Sequence, residues 1–102
     1  MSNDSIAKSK SMAFAKRIVR LYQFLTREKQ EYVLSKQVLR SGTSIGANIA
    51  EAIYGSSRKD FIAKLCIAEK ECAETHYWLE LLHSCDYVPD NLYQSLRSDC
   101  CE

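Results

Sequence analysis

The chain has 102 residues, 46% of them hydrophobic and 26% charged, with a formal net charge of +1. This length predicts one domain spanning residues 1–102. The composition is that of a soluble globular protein, and no apolar segment is long enough to cross a membrane, which excludes a membrane-spanning class. Three glycines and one proline leave little material for turns, so a few long helices are favoured over strands.

The small net charge conceals an asymmetry along the chain. Residues 1–59 carry eleven Lys/Arg and four Asp/Glu, whereas residues 60–102 carry three Lys/Arg and nine Asp/Glu. Such a distribution is compatible with an anionic partner for the first part. The slightly favoured alternative is that the two parts complement each other, within one chain or between subunits.

The cysteines indicate free thiols rather than a disulfide framework. Their number is odd, they form no Cys-x-x-Cys pair, and the N-terminus has no apolar run of signal-peptide length. These features predict a reducing, cytoplasmic location. Cys66 and Cys72 are expected to fill core space as small hydrophobic residues. The five cysteines are Cys66, Cys72, Cys85, Cys100 and Cys101.

The first helix is predicted over residues 6–28, with Asp4 or Ser5 as its N-cap. Its apolar side chains fall within a sector of about 120° at the helical repeat, as in an amphipathic helix that packs on a core. The opposite sector is basic.

That basic sector supplies the candidate nucleic-acid contacts. Lys16, Arg20 and Arg27 lie on it, and Lys36 and Arg40 of the second helix are available beside them. Each cation that neutralises a phosphate adds to affinity. The alternative is an ordinary solvated helix face, and the near-neutral overall charge is unlike that of most nucleic-acid-binding domains.

A second helix is predicted over residues 31–54, and it contains two glycines on one side. Gly42 and Gly46 are four residues apart, so they lie one above the other. Each glycine inside a helix costs about 1 kcal/mol relative to alanine. This cost predicts a close approach of another helix at both positions, since small residues let two backbones come together.

The opposite face of the second helix is flat, because Thr43 and Ala47 project little. This face suits packing against another helix or subunit, or it is a bare solvent face. Asn48 and Glu51 are the polar groups of the same segment. They are candidates for a contact between subunits or with a ligand. The favoured alternative is that they hydrogen-bond across the bundle or cap a buried polar group, within one chain or between subunits.

A third helix is predicted over residues 57–85, with Ser57 as its N-cap. It has a heptad seam, the packing pattern of left-handed bundles. Near its end, Tyr77 and Trp78 help to make one turn apolar nearly all round, which predicts burial nearly all round, partly against another copy. The seam consists of Phe61, Leu65, Ala68, Cys72, Thr75, Leu79 and Leu82.

A fourth, short helix is predicted over residues 89–100, with Pro89 in its first turn. Four periodic segments joined by short connections predict an all-α, antiparallel up-down-up-down four-helix bundle with a short fourth helix.

The middle of the chain resembles a known family. The segment Arg40–Ala52, with Gln37 before it, is similar to the four-helix-bundle or 23S rRNA intervening-sequence protein family, and the resemblance covers roughly residues 12–93. Further matching positions are Asp60-Phe61, Lys64-Leu65, Ile67-Ala68, Lys70-Glu71, Glu74-Thr75 and Tyr77-Trp78-Leu79.

This resemblance implies an antiparallel four-helix bundle that assembles into rings of five. Members of the family are encoded within inserts of some bacterial rRNA genes and elsewhere in bacterial genomes. A similar bundle is the accessory protein of diversity-generating retroelements, where it is thought to bind nucleic acid and a reverse transcriptase. The family's fourth helix usually continues for more turns than the one predicted here.

No catalytic set is found in the sequence, and neither an enzyme activity nor a cofactor is expected. His76 and His83 are two helical turns apart, about 10 Å along the axis, too far to share one metal ion. Glu80 and His83 have the Glu-x-x-His spacing of di-iron bundles, but the second such motif is missing. No metal site is therefore assigned, and the segment from Gly42 to Gly46 lacks the Lys-Ser/Thr of a P-loop.

Two function classes remain. The first is a homo-oligomeric, nucleic-acid-associated adaptor, with RNA or DNA and a second protein as candidate partners. The second is a purely structural or protein-binding bundle without nucleic-acid contact. A ring of five is expected only because of the family resemblance. The candidate subunit or helix packing residues are Gly42, Thr43, Gly46, Ala47, Asn48, Glu51, Tyr77 and Trp78.

Overall fold

The computed structural model describes the backbone of residues 3–100 and the side chains of residues 6–100. Four helices make up most of this range, which contains no strand: α1 (Asn3–Arg27), α2 (Leu34–Ile53), α3 (Arg58–Ser84) and α4 (Asp90–Cys100). Each helix packs on the next, and α4 also contacts α1. The predicted all-α four-helix bundle with a short fourth helix is confirmed. None of the four helices is both long and apolar enough to span a bilayer.

The helices run antiparallel, as contacts between neighbours show. Gly42 lies against Ile18 and Gly46 against Ser11, so positions on α1 fall as those on α2 rise. Across the next interface, Arg40 of α2 pairs with Glu74 of α3 and Glu51 with Lys64, so positions on α3 also fall as those on α2 rise. Asp90 and Cys100 of α4 lie against His83 and Cys72 of α3, which is again antiparallel.

The two predicted helix starts nearest the N-terminus are wrong. α1 already includes Asn3, so neither Asp4 nor Ser5 is its N-cap. α2 begins at Leu34 rather than at Glu31.

α2 begins late because the Glu31 side chain caps the N-terminus of the helix, while the backbone of Glu31 remains outside it. Its Oε1 accepts from the backbone N–H of Ser35 (2.6 Å), and its Oε2 accepts from those of Leu34 (3.1 Å) and Val33 (3.2 Å). A helix N-terminus leaves several N–H groups without partners inside the helix. One buried carboxylate satisfies three such donors here.

The connection between α2 and α3 contains the one predicted cap that is confirmed. Ser57 is the N-cap of α3, and its hydroxyl accepts from Asp60 N (3.1 Å). The Asp60 carboxylate accepts from the Ser56 hydroxyl (2.9 Å). Gly55 follows α2 without a positive φ, so it does not form the left-handed C-cap that glycine usually provides.

The bundle has two ends that differ in packing. The closed end holds the α1–α2 and α3–α4 connections, and all four helices meet there. The open end holds the α2–α3 connection and lies beyond Cys100 of α4. A helix of 11 residues spans about 16 Å, whereas the 27 residues of α3 span about 40 Å. The fully buried large residues at and near the closed end are Ile18, Leu25, Val38, Leu79, Leu82 and Leu96.

The glycines of α2 lie where α1 approaches most closely. A Cβ added at Gly42 would lie 2.8 Å from Ile18 Cγ1 and 2.9 Å from Ile18 Cγ2. At Gly46 it would lie 3.2 Å from Ser11 Oγ. The approach at Gly42 leaves no room for a methyl group, whereas the contact at Gly46 is looser.

Candidate nucleic-acid interface and thiol–imidazole cluster

The basic stripe of α1 consists of Lys16, Arg20 and Arg27, and all three side chains are exposed. They point away from Ile18 and Leu25 of the core. None of the three forms an ion pair with another described side chain. Their charges are therefore available to an external anion.

The two candidate cations of α2 differ from each other. Lys36 is exposed and has no ion pair within the described range. Arg40 donates to the carboxylates of Glu71 (3.3 Å) and Glu74 of α3. Glu74 also accepts from the Trp78 indole N–H (2.9 Å). The structure thus places Arg40 in a network between α2 and α3, with its charge already neutralised.

Several ion pairs join the basic and acidic parts of the chain. Arg17 of α1 contacts Asp99 of α4 (2.6 Å), and Lys64 of α3 contacts Glu51 of α2 (3.0 Å). The Arg17–Asp99 pair and the Arg40 network join cations of residues 1–59 to carboxylates of residues 60–102, whereas the Lys64–Glu51 pair has the opposite polarity. Part of the charge asymmetry is therefore complemented within one chain, whereas the basic stripe is not.

The flat face of α2 borders a shallow groove between α1 and α2. The Thr43 hydroxyl donates to Leu39 O (2.7 Å) and so turns back onto its own helix. Ala47 is exposed. The Asn48 side-chain amide donates to Ser44 O (2.8 Å), one turn back on its own helix. The groove is lined by Lys8, Ser11, Met12, Ala15, Thr43, Gly46, Ala47 and Ala50.

The aromatic pair of α3 is only partly covered within one chain. Trp78 is half-buried, and Tyr77 packs edge-on against it with ring centroids 5.0 Å apart. Tyr77 is 59% exposed. The expected burial all round this turn is thus not completed by the chain itself.

Three side chains form a thiol–imidazole cluster at the border of the open end. Cys72 and His76 of α3 are half-buried, and Cys100 at the end of α4 is buried. Their ligand atoms lie within 4.8 Å of one another, and the two sulfur atoms are 3.3 Å apart. The i, i+4 spacing of Cys72 and His76 is a signal present in the sequence. Cys100 could not be paired with them before the position of α4 was known.

The structure also places Cys66 and His83, and the expectation for Cys66 is wrong. Cys66 was expected to fill the core, but it is exposed, because it lies beside the heptad seam on a side that no other helix covers. His83 lies 3.2 Å from Asp90 Oδ1 and stacks on Tyr93 with centroids 4.3 Å apart. It therefore belongs to the α3–α4 contact, away from His76.

Comparison with known proteins identifies the family. A family model described as 23S rRNA-intervening sequence protein matches residues 3–102, which is more than the resemblance covered. A crystal structure from Bacteroides thetaiotaomicron VPI-5482, described as a protein with unknown function from the S23 ribosomal protein family, is 55% identical with a TM-score of 0.96. The alignment covers 98% of this chain and 89% of that chain. No curated protein matches. The chain belongs to the 23S rRNA-intervening sequence protein family.

Proposed function

We propose that this protein is a non-enzymatic, oligomeric helical bundle that acts as a nucleic-acid-associated adaptor. The observation that carries this proposal is the exposed basic stripe of α1. Lys16, Arg20 and Arg27 have no carboxylate partner within the described range, unlike Arg17 and Arg40.

An unpaired cation on a helix can exchange its bound anions for phosphate, which releases the counterions held by the nucleic acid. Lys16 and Arg27 are eleven positions apart, about 16 Å along the helix axis, so the stripe can follow several phosphates of one strand. Three contacts give weak binding. An oligomer repeats the stripe on each subunit, and a strand that reaches several stripes gains avidity.

The experiment is fluorescence anisotropy with labelled mixed-sequence RNA and DNA at low salt. The protein is expected to bind without sequence preference, and affinity should fall steadily as salt rises from about 50 to about 200 mM. Lys16→Glu, Arg20→Glu and Arg27→Glu together should abolish this binding. The melting temperature should change little, because exposed charges contribute little to stability.

A matched control is the triple variant Arg58→Glu, Lys59→Glu and Lys70→Glu. These side chains are exposed on α3, and their reversal changes the net charge by the same amount. The control should retain most of the binding. Equal loss of binding in both variants would show that net charge, rather than the position of the stripe, determines binding. No binding by the wild-type protein at low salt would favour the second function class, a structural or protein-binding bundle.

The proposed assembly is a head-to-tail ring, with five subunits as in the family that the chain resembles. Support comes from apolar surface that one chain leaves exposed, including Tyr54 at 76% and Tyr77 at 59%. The groove beside Ala47 adds a flat surface on α2. Head-to-tail contacts close into rings when the rotation between subunits permits it.

Light scattering coupled to size exclusion tests this assembly at micromolar protein and moderate salt. About five times the chain mass is expected from the family resemblance. A dimer would contradict the ring but retain the idea that a second copy covers apolar surface. A monomer would contradict both, and it would also remove the avidity on which nucleic-acid binding depends.

A further inference from the structure

We propose that Cys72, His76 and Cys100 form a zinc-binding site that fastens the end of α4 to α3. This site is separate from the basic stripe and does not depend on nucleic-acid binding. It involves two helices, two thiols and one imidazole, all within a few ångströms.

The three residues have the arrangement of a metal site. Cys72 and His76 are one turn apart on the same face of α3, the spacing at which helical residues hold zinc in other proteins. Cys100 reaches them from α4, and its sulfur is 3.3 Å from that of Cys72. In a tetrahedral zinc site with bonds of about 2.3 Å to sulfur and about 2.0 Å to nitrogen, donor atoms are separated by about 3.5–3.8 Å. Small side-chain rotations therefore suffice.

The identity of the ligands favours zinc. Thiolate and imidazole together suit zinc better than magnesium or calcium, which prefer oxygen ligands. Two Cys and one His leave the fourth tetrahedral position for water or another donor. Zinc binding also requires no oxidant, whereas the formation of a disulfide between Cys72 and Cys100 requires one.

The surroundings allow a metal ion to enter. A groove at the open end reaches Cys72 and Cys100, and its walls come from α2 and α3. Glu69, one turn before Cys72 on α3, also lines this groove and is exposed. The site is therefore accessible to solvent but shielded on its inner side by the core. The groove is lined by Ile45, Ile49, Leu65, Ala68, Glu69, Cys72 and Cys100.

Zinc binding would couple the two helices. Each thiol loses its proton to solvent when its sulfur binds the metal, so two protons are released per zinc ion bound. Because the ligands come from α3 and α4, the metal binds the folded arrangement more tightly than the unfolded chain, and it stabilises the contact between these helices.

The test uses the full chain, reduced and freed of metal by a chelator. Cobalt(II) serves as the spectroscopic probe and zinc as its competitor. One cobalt ion per chain should give a thiolate-to-cobalt charge-transfer band and intense visible bands typical of tetrahedral geometry, and zinc should abolish them. Zinc should also release two protons per chain and raise the melting temperature.

The variants Cys72→Ser and His76→Ala should each lose or greatly weaken the cobalt spectrum. Cys66→Ser is the matched control, because Cys66 is an exposed cysteine on the same helix, and it should keep the full spectrum. Circular dichroism establishes that each variant remains helical.

A readout on the unaltered chain avoids any folding defect of the variants. Zinc should protect Cys72 from alkylation, as measured by peptide mass spectrometry, while Cys66 and Cys85 remain reactive. The proposal is overturned if the reduced wild-type protein gives no tetrahedral cobalt spectrum. It is equally overturned if zinc leaves the alkylation rate of Cys72 unchanged.

Discussion

At the closed end of the bundle, Val38 of α2 and Leu79 of α3 are fully buried, whereas Ile49 and Leu65, at the open end of the same two helices, are only half-buried. All four positions are large aliphatic residues at helical spacing, so residue type does not explain the difference. The difference follows from α4. It covers α3 near Leu82 but is too short to accompany it to Phe61.

A heptad seam therefore specifies which side of a helix packs, but it does not specify how far along the helix a partner extends. The α3 seam is continuous from Phe61 to Leu82. Its large side chains at the start, Phe61 and Leu65, are half-buried and only the small Ala68 is buried there, whereas Leu79 and Leu82 at its end are fully buried. The open end therefore retains apolar surface that a second copy of the chain could cover. The thiol–imidazole cluster lies at the border between the two ends.

The largest effect on the free energy of unfolding should come from replacing one leucine by alanine, either at the closed end or at the open end. Leu79→Ala should destabilise the fold by about 2–5 kcal/mol, because it leaves a cavity in a fully buried site. Leu65→Ala should cost about 1–2 kcal/mol, since a half-buried side chain has less apolar area to lose. Urea unfolding at one fixed protein concentration measures both. Equal losses would contradict the comparison and would indicate that the open end is covered in solution.

The next largest effect should separate the two glycines. Gly42→Ala places a methyl group against Cγ1 and Cγ2 of Ile18, and the branched side chain of Ile18 cannot rotate freely within the core. Overpacking costs about 1–3 kcal/mol, which exceeds the helix-propensity gain of about 1 kcal/mol. Gly46→Ala meets the Ser11 hydroxyl, which can rotate away, so this change should be neutral or stabilising.

Thermal unfolding of both variants measures this difference in sign. A Gly42→Ala protein as stable as Gly46→Ala would show that α1 can move away from α2 at little cost.

The larger change Gly46→Leu should destabilise the fold or the oligomer, because a leucine side chain cannot fit beside Ser11. This loss is expected although leucine forms helices better than glycine.

The element types could be predicted from the sequence, but several details could not. Helical periodicity identified all four helices, and the Ser57 cap has a local signature with Asp60. The start of α2 was missed because Glu31 resembles an ordinary first-turn residue until its three backbone partners are seen. Cys66 was misplaced because periodicity does not show which flank of a seam lacks a neighbour.

The candidate sites show the same limit: features of a single helix could be predicted from the sequence, whereas contacts between helices could not. Exposure of Lys16, Arg20 and Arg27 could be inferred from the helical repeat alone, since all three lie opposite the apolar sector of one helix. The pairing of Arg40 with Glu71 and Glu74 could not, because it depends on how α2 and α3 align. The same holds for Cys100, which meets Cys72 only after the fourth helix folds back.

A smaller effect should come from the cap at the closed end. Glu31→Ala removes an acceptor from three backbone N–H groups, and losing an N-cap costs about 0.5–2 kcal/mol. Glu28→Ala is the matched control, because Glu28 is exposed in the same connection and its carboxylate makes no hydrogen bond within the described range. The control should change stability little. Equal losses in urea unfolding would show that charge near the helix start, rather than the hydrogen bonds, is what matters.

The smallest effect, with the opposite sign, should come from a buried hydroxyl at the closed end. Ser35 is fully buried, and its Oγ has no hydrogen-bond partner among the described residues. Burying a polar group without a partner is unfavourable, and alanine is the better helix former by about 0.5 kcal/mol. Ser35→Ala should therefore stabilise the fold by about 0.5–1 kcal/mol, since the lost oxygen leaves little empty space.

Ser41→Ala is the comparison that makes this prediction specific. Ser41 is on the same helix and is also fully buried, but it accepts a hydrogen bond from the Thr75 hydroxyl (3.0 Å). Its replacement removes this hydrogen bond between α2 and α3 and should destabilise the fold by about 0.5–1.5 kcal/mol, with Glu71 O (2.8 Å) left as the remaining acceptor for the Thr75 hydroxyl. Opposite signs in urea unfolding would show that hydrogen bonding, rather than serine burial itself, decides the outcome. If Ser35→Ala also destabilised the fold, the prediction would be wrong. That result would indicate that a buried water molecule hydrogen-bonds to the Ser35 hydroxyl at the closed end.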